Sequence, residues 1–129
     1  MTTTATARTK AITDMFAAID SGDYSTAFDY LADDITLVFS NAPAAPGKSA
    51  VKAALGELIG GLAGIRHEIH GLWHVDRPAD IAFSEMTVTF TTPDGRATPV
   101  PCCDVFEFQG DHITQFRVYT DITPVFQPA

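Results

Sequence analysis

Three of the four histidines of the chain lie in the segment IRHEIHGLWHVD, residues 65–76. Imidazole groups bind metals and transfer protons near neutral pH, so the conformation of this segment decides its chemistry. On a helix, His67, His70 and His74 would lie on one side and could share a metal ion. On a strand, His70 and His74 would share one face, and His67 would lie on the other. The order His-Glu-Ile-His also departs from the H-E-x-x-H spacing of helical zinc sites.

The rest of the chain indicates that this segment is a strand. From residue 65 onward the periodicity of apolar residues is two, and the turn pairs Asp94-Gly95 and Gly110-Asp111 fit tight hairpins. Four extended runs are therefore predicted, at residues 65–76, 80–92, 96–109 and 112–122. His67 then shares an apolar face with Ile69 and Trp73, and it becomes the one histidine of the segment with a candidate role in a pocket.

The first half of the chain has the apolar spacing of helices. We predict helices at residues 6–21, 24–31 and 49–62, a short strand at 35–40, and a loop over NAPAAPG at 41–47. Three helices followed by long strands predict one α+β domain over residues 1–129. In it the helices pack on one face of a curved antiparallel sheet.

Composition narrows the classes of partner. The chain has 129 residues and a formal net charge of −8, which would repel nucleic acid and an anionic membrane surface. No apolar run approaches the roughly 20 residues that span a bilayer. The start, MTTTATARTK, has no apolar signal core, so we expect a cytoplasmic protein. Neither a metal-ligand cluster nor a nucleotide fingerprint is present, and we expect no cofactor.

Three stretches carry a resemblance to a known family: AAIDSGDYSTAFDYLADDITL, RHEIHGLWHV and CCDVFEFQGDHITQFRVYTDITPVF. With the order α-α-β-α and four strands, they resemble the nuclear-transport-factor-2-like superfamily. Within it the chain is similar to the SnoaL-like group, related to polyketide cyclases, ketosteroid isomerases and limonene-epoxide hydrolases. The resemblance covers nearly the whole chain and implies a cone-shaped sheet around an apolar pocket. This fold hosts many unrelated reactions, so the resemblance specifies the fold better than the activity.

The resemblance also implies roles for single residues. Asp104 matches the position at which ketosteroid isomerases keep a neutral aspartic acid, and apolar neighbours would raise its pKa as that role requires. The isomerase pattern fails at Phe16 and near Phe39, which occupy the positions of the catalytic tyrosine and the general base. Steroid isomerisation is therefore not expected.

The epoxide-hydrolase pattern is only partly kept. Asp121 matches the aspartate that activates water, within Tyr119-Thr120-Asp121. However, Met86-Thr87-Val88 stands where that group has an Arg-x-Asp pair. Asp121 is thus the expected base, in an arrangement closer to that of polyketide cyclases. The alternative is a structural role, in which the Asp121 carboxylate caps the strand end and pairs with Arg117.

From these residues we expect a small acid–base enzyme acting on a compact, apolar, carbonyl-containing molecule. Asp121 would be the base, Asp104 and His67 would polarise or donate, and Tyr119 would orient the substrate. The expected pocket lining is Phe16, Trp73, Met86, Val88, Cys102 and Phe106. A binding protein for a small hydrophobic ligand is the alternative function, and a filled cavity in an interaction protein is a third.

We also expect a homodimer that packs through the convex face of the sheet. As a strand, residues 65–76 place Arg66, Glu68, His70 and His74 on that face, where a half-polar surface fits a subunit interface or solvent equally. Phe126, between two prolines, is expected to pack across the dimer or over the pocket rim.

Overall fold

The computed structural model describes residues 2–76 and 80–127, with side chains from residue 5 onward. The helices are α1 (Thr2–Asp20), α2 (Tyr24–Phe28), α3 (Lys48–Gly60) and α4 (Thr123–Phe126). The strands are β1 (Leu31–Phe39), β2 (Ala45–Pro46), β3 (Gly64–Val75), β4 (Ile81–Thr91), β5 (Ala97–Gln109) and β6 (His112–Thr120). The α+β class and the three N-terminal helices are confirmed. Within the described ranges, no helix is long and apolar enough to cross a membrane.

All six strands form one curved sheet in the order β2-β1-β6-β5-β4-β3. The four long C-terminal strands pair antiparallel with their neighbours, as predicted. Their last two hairpin turns carry Gly95 at φ 88° and Gly110 at φ 61°, backbone conformations that favour glycine. Strand β1 joins this meander in parallel to β6, a pairing that the sequence had not indicated.

The element boundaries differ from the predictions in the first half and at the C-terminus. Helix α2 ends at Phe28, because Leu31 already pairs with Ile113 as the first residue of β1. The predicted loop 41–47 contains the two-residue strand β2, which pairs with Thr36 and Leu37. The short helix α4 was not predicted. Phe126 at its end is 54% exposed and does not cover the cavity. Its packing across a dimer stays a prediction.

The core lies between α1 and the inner face of the sheet, the face that α1 covers. The predicted helical stripe Ile12, Met15, Phe16 and Ile19 is buried in it. Alternate residues of two neighbouring strands point inward: Ala82, Ser84, Met86, Val88 and Phe90 on β4, and Val100, Cys102, Asp104, Phe106 and Phe108 on β5. The period-two pattern thus predicted both faces of these strands correctly.

A β-bulge in β3 overturns two predicted orientations. Ile69 pairs with Met86 and Gly71 with Glu85, so the intervening His70 is an extra residue in the ladder. One inserted residue reverses the alternation that follows it. Trp73, predicted to face the pocket, therefore lies on the outer face, 48% exposed and stacked on Phe83 at 5.7 Å.

The same bulge moves the last histidine of the segment to the inner side. His74 was predicted to lie on the convex face, yet its Nε2 is 2.7 Å from Oγ1 of Thr9 on α1. His70 does lie on the outer face, where its Nε2 is 2.8 Å from Oγ1 of Thr87. The three histidines therefore have three different environments, and the strand conformation separates them.

Candidate active site

An apolar cavity opens between the inner face of the sheet, the end of α1 and the helix α3. Its enclosed volume is about 50 Å³. The residues around it are Phe16, Ile19, Phe39, Leu55, Leu58, Ile59, Ile65, His67, Val88, Phe90, Cys102, Asp104, Phe116, Val118 and Thr120. Two of them carry acid–base groups, the imidazole of His67 and the carboxyl of Asp104. Among the described residues, neither a lysine nor an arginine borders the cavity.

His67 is held by Asp20, the last residue of α1. The Nδ1 atom of the imidazole lies 2.6 Å from Oδ1 of Asp20, and the backbone N–H of His67 donates to Oδ2 at 2.8 Å. One carboxylate thus binds both the ring and the backbone of a single residue on β3. This pair of hydrogen bonds fixes the end of α1 against the sheet and sets the direction of the imidazole.

The contact with Asp20 also fixes the tautomer of the ring. An ionised carboxylate only accepts hydrogen bonds, so in a neutral imidazole at this place the proton lies on Nδ1 and Nε2 keeps its lone pair. Phe16 stacks on the ring with a centroid distance of 4.3 Å and an interplanar angle of 26°. A neutral imidazole held in one tautomer and one plane, at the wall of a cavity, is equipped to act as a base.

Asp104 lies on the neighbouring part of the wall, in the middle of β5. It is 2% exposed, and burial raises the pKa of its carboxyl to about 7. The Cys102 thiol donates to Oδ1 of Asp104 at 3.2 Å and lowers that pKa in part. A protonated carboxyl in an apolar site can donate a hydrogen bond to a substrate oxygen.

Ser84 faces Asp104 across the sheet without a hydrogen bond of its own. The two residues are paired on β4 and β5, and both point to the inner face. The Ser84 side chain is fully buried, and its Oγ has no partner among the described residues. A buried hydroxyl that gives up its water without a new partner lowers the stability of the fold.

The structure brings together five of the ten residues that the sequence assigned to the site: Phe16, His67, Val88, Cys102 and Asp104 border the cavity. Met86 and Phe106 are buried in the core but do not border the cavity. Trp73 is on the outer face as a result of the bulge in β3. Tyr119 and Asp121 are also outside the cavity.

The orientation of β6 explains why Tyr119 and Asp121 lie outside the cavity. Phe116, Val118 and Thr120 face the cavity, so Tyr119 between them points outward and is 56% exposed. Asp121 follows the strand on the surface, where its Oδ1 accepts from the backbone N–H of Thr123 at 2.9 Å. Hydrogen bonds from Thr123 lower the pKa of Asp121. The alternation of Phe116, Arg117 and Val118 in the sequence already indicated this inner face.

The alternative pairing of Asp121 with Arg117 does not occur either. Arg117 Nη1 instead binds Oε2 of Glu107 on the neighbouring strand at 2.7 Å. Asp121 instead accepts a hydrogen bond from the backbone N–H of Thr123, the first residue of α4.

Asp20 is the functional candidate that the sequence reasoning missed. It ends α1, where a carboxylate faces the negative end of the helix dipole and is normally unfavourable. That mismatch is the signal that could have singled it out, because an acid at this place needs a partner outside its helix. Within the described ranges, no group of three or more histidine, cysteine, aspartate or glutamate side chains is arranged to hold a metal ion.

Comparison with known proteins agrees with this architecture. A family model described as a SnoaL-like domain matches residues 12–116. An NTF2-like protein of unknown function from Burkholderia pseudomallei K96243 superposes with a TM-score of 0.81 at 14% identity, over 92% of this chain and 94% of that one. No curated protein sequence matches the chain.

Two further solved structures are similar. TerC, co-crystallised with polyporic acid, has a TM-score of 0.81 at 14% identity and covers 92% of this chain and 95% of its own. An LEH-like epoxide hydrolase from M. tuberculosis has a TM-score of 0.76 at 22% identity, over 91% of this chain and 84% of its own. At these identities the likeness concerns the fold, and the chemistry has to be argued from the side chains.

Proposed function

The chain belongs to the family of SnoaL-like domains, and we propose that it is a small acid–base enzyme. His67 is its base, Asp20 positions that base, and Asp104 is the acid. The observation that carries the proposal is the 2.6 Å contact between Nδ1 of His67 and Asp20, on an imidazole that borders the same cavity as Asp104.

The reaction that fits these groups begins with proton abstraction next to a carbonyl. Nε2 of His67 takes the proton from carbon, and the electron pair of the C–H bond moves into a new carbon–carbon double bond. The carbonyl oxygen gains negative charge, which the proton of Asp104 stabilises through a hydrogen bond. The positive charge on the imidazole is stabilised by Asp20. Return of the proton completes an exchange or isomerisation, and loss of a leaving group completes an elimination.

The lining of the cavity supports a neutral and largely apolar substrate. Apart from His67 and Asp104, its side chains are hydrocarbon except for Cys102 and Thr120. A carboxylate or phosphate on the reacting end would find no cation in the described wall. It would also oppose the acidic net charge of −8. The co-crystallisation of TerC with polyporic acid supports a small organic ligand for this fold.

The test is hydrogen–deuterium exchange of cyclohexanone in D2O, followed by the loss of its α-proton signal in the proton NMR spectrum. This probe has one carbonyl, no charge and acidic hydrogens only beside the carbonyl. We expect exchange above the buffer rate with the wild-type protein and none above it with His67→Gln. His70→Gln, on the outer face of the same strand, is the matched control and should exchange at the wild-type rate.

Binding without turnover is the second candidate. The enclosed volume of about 50 Å³ is far below the roughly 300–1,000 Å³ of ordinary ligand pockets. This supports a protein that holds only the end of a molecule. Saturable binding of cyclohexanone without any exchange would favour this function over the acid–base enzyme. A cytoplasmic location stays a prediction for either function.

The oligomeric state belongs to the same proposal. The outer face of the sheet carries Trp73 at 48% and Val75 at 41% exposure. Trp73, Phe83 and Val105 are successive cross-strand neighbours on that face. Contiguous exposed apolar side chains of this kind mark interaction surfaces. We expect a second copy of the chain to cover them, which leaves the cavity on the inner face of each protomer.

A further inference from the structure

An open groove adjoins the cavity at the end of the sheet where β1 and β6 finish. Its volume is about 790 Å³. The residues around it are Phe39, Ser40, Asn41, Ala42, Tyr119, Thr120, Asp121, Ile122 and Thr123. Phe39 and Thr120 border both spaces. Two shared wall residues thus place the groove directly beside the cavity.

The small volume of the cavity limits how much of a substrate it can hold. An enclosed space of about 50 Å³ accommodates only a small fragment, whereas bound organic ligands usually have most of their surface covered. For any larger substrate, the part that does not fit must therefore lie at the mouth of the cavity. The groove is the larger space that lies beside the cavity.

The rim of the groove is rigidly held. Ser40 has a positive φ of 50°, which is unusual for a residue with a side chain. Its Oγ donates to the carbonyl oxygen of Thr120 at 2.6 Å, and its backbone N–H donates to the carbonyl oxygen of Val118 at 2.8 Å. These bonds hold the turn after β1 against the end of β6. The groove is thus present before a ligand arrives.

Apart from Asp121, the polar side chains around the groove are neutral. The Asn41 amide and the Tyr119 hydroxyl lie on the surface, and neither has a hydrogen-bond partner among the described residues. Asp121 is the one charged side chain around the groove, and Thr123 already holds it. Since neither lysine nor arginine is present in this set, an anionic group would be opposed by Asp121.

We propose that this groove is a binding subsite for a neutral hydrogen-bonding tail, such as an amide or a hydroxylated group, of a substrate whose small apolar end reacts in the cavity. Asn41 and Tyr119 bind the tail. The inference rests on the proposed function for its reacting end, and it adds the substrate class: a two-part, uncharged molecule. Tyr119, which the sequence had assigned to orient the substrate, takes part from the surface.

Three probes test the subsite: cyclohexanone, 4-acetamidocyclohexanone and 4-oxocyclohexanecarboxylate. Their dissociation constants are measured by nitrogen–proton NMR titration of the labelled protein. We expect the amide probe to bind about five-fold tighter than cyclohexanone, with added shift changes at residues 40–42 and 119–123. The carboxylate should bind no tighter than cyclohexanone. The variants Asn41→Ala and Tyr119→Phe should each reduce the advantage of the amide, and Gln109→Ala, an exposed polar control on β5, should keep it.

The proposal is overturned if the amide probe has no advantage, if the advantage survives in both variants, or if the carboxylate binds tightest. Failure of all three probes to bind overturns it equally. Deuterium exchange of cyclohexanone reports separately on the acid–base function. Groove-dependent binding without exchange would support the subsite and contradict the catalytic proposal. Exchange without an amide advantage would support the catalytic proposal and contradict the subsite.

Discussion

Asp20 and His67 are separated by 47 residues in sequence, and their side chains meet with Oδ1 and Nδ1 2.6 Å apart. The second oxygen of Asp20 accepts from the backbone N–H of the same histidine at 2.8 Å. One carboxylate therefore sets the tautomer of the imidazole, its orientation and the position of its strand relative to α1. A base with a fixed proton on Nδ1 and a free Nε2 follows from this single relationship.

Replacement of Asp20 by asparagine should separate the positioning role from a structural one. An amide group can donate to Nδ1, which would move the ring proton to Nε2 and remove the free lone pair. We expect Asp20→Asn to reduce cyclohexanone exchange by about 10²-fold. Long-range nitrogen–proton NMR of the imidazole should show the proton on Nε2 in this variant and on Nδ1 in the wild type.

The control for this variant is Asp14→Asn on the same helix, where Asp14 pairs with the exposed Lys10. It should leave exchange and tautomer unchanged. If Asp20→Asn lowers the melting temperature but keeps both the tautomer and the exchange rate, Asp20 only connects α1 to the sheet, and the proposed dyad is wrong.

Asp104 should make the stability of the fold depend on pH. Its pKa is raised to about 7 by burial, while an unfolded aspartate has a pKa of about 3.9. Below about pH 4 both states are protonated. As the pH rises to 7 and beyond, the unfolded state loses its proton first, so stability falls by up to about 4 kcal/mol. Urea unfolding of the wild type and of Asp104→Asn, measured from pH 4 to 8, should show this fall in the wild type only.

The two proteins should therefore differ most at pH 8, where the asparagine variant is the more stable. Equal pH slopes in the two would mean that Asp104 is ionised in the folded state. A carboxylate that is already ionised cannot donate a proton to a substrate oxygen, so this result would also remove the acid from the proposed mechanism.

Ser84→Ala should stabilise the protein. The Ser84 hydroxyl is fully buried without a partner among the described residues. Removing an unsatisfied buried polar group recovers its desolvation cost, here about 1 kcal/mol. The free energy of unfolding in urea measures the change, and Ser25→Ala, on the surface at α2, is the control with no expected gain. A loss of stability in Ser84→Ala would show that the hydroxyl binds an ordered water or Asp104 itself.

The sequence predicted the fold well because most of it follows from local periodicity. The stripe Ile12, Met15, Phe16 and Ile19 defined α1, and the alternation on β4 and β5 placed Val88, Cys102 and Asp104 on the inner face. These elements have regular geometry over their whole length. In such elements the face on which a residue lies can be read from its spacing to apolar neighbours.

The site was predicted less well because it depends on irregular or distant geometry. The extra residue at His70 reverses the second half of β3, and its sequence signal is the neighbouring Gly71, since a glycine inside a strand often marks a bulge. The contact of Asp20 with His67 joins a helix end to a strand and leaves no local pattern. The base assigned to Asp121 relied on a motif at the end of β6, where a shift of one residue decides between cavity and surface.

The outer face of the sheet provides the last prediction. Trp73 and Phe83 stack on that face at 5.7 Å, next to the exposed Val75. We expect the protein to sediment as a dimer. Trp73→Glu should shift it to a monomer, because it places a carboxylate on the apolar surface of each copy and opposes like charges across a two-fold interface. Thr6→Glu, an exposed site on α1, adds the same charge away from this face and should leave the dimer intact. A wild-type protein that sediments as a monomer at every concentration, or a Trp73→Glu dimer, would show that these side chains are not the interface.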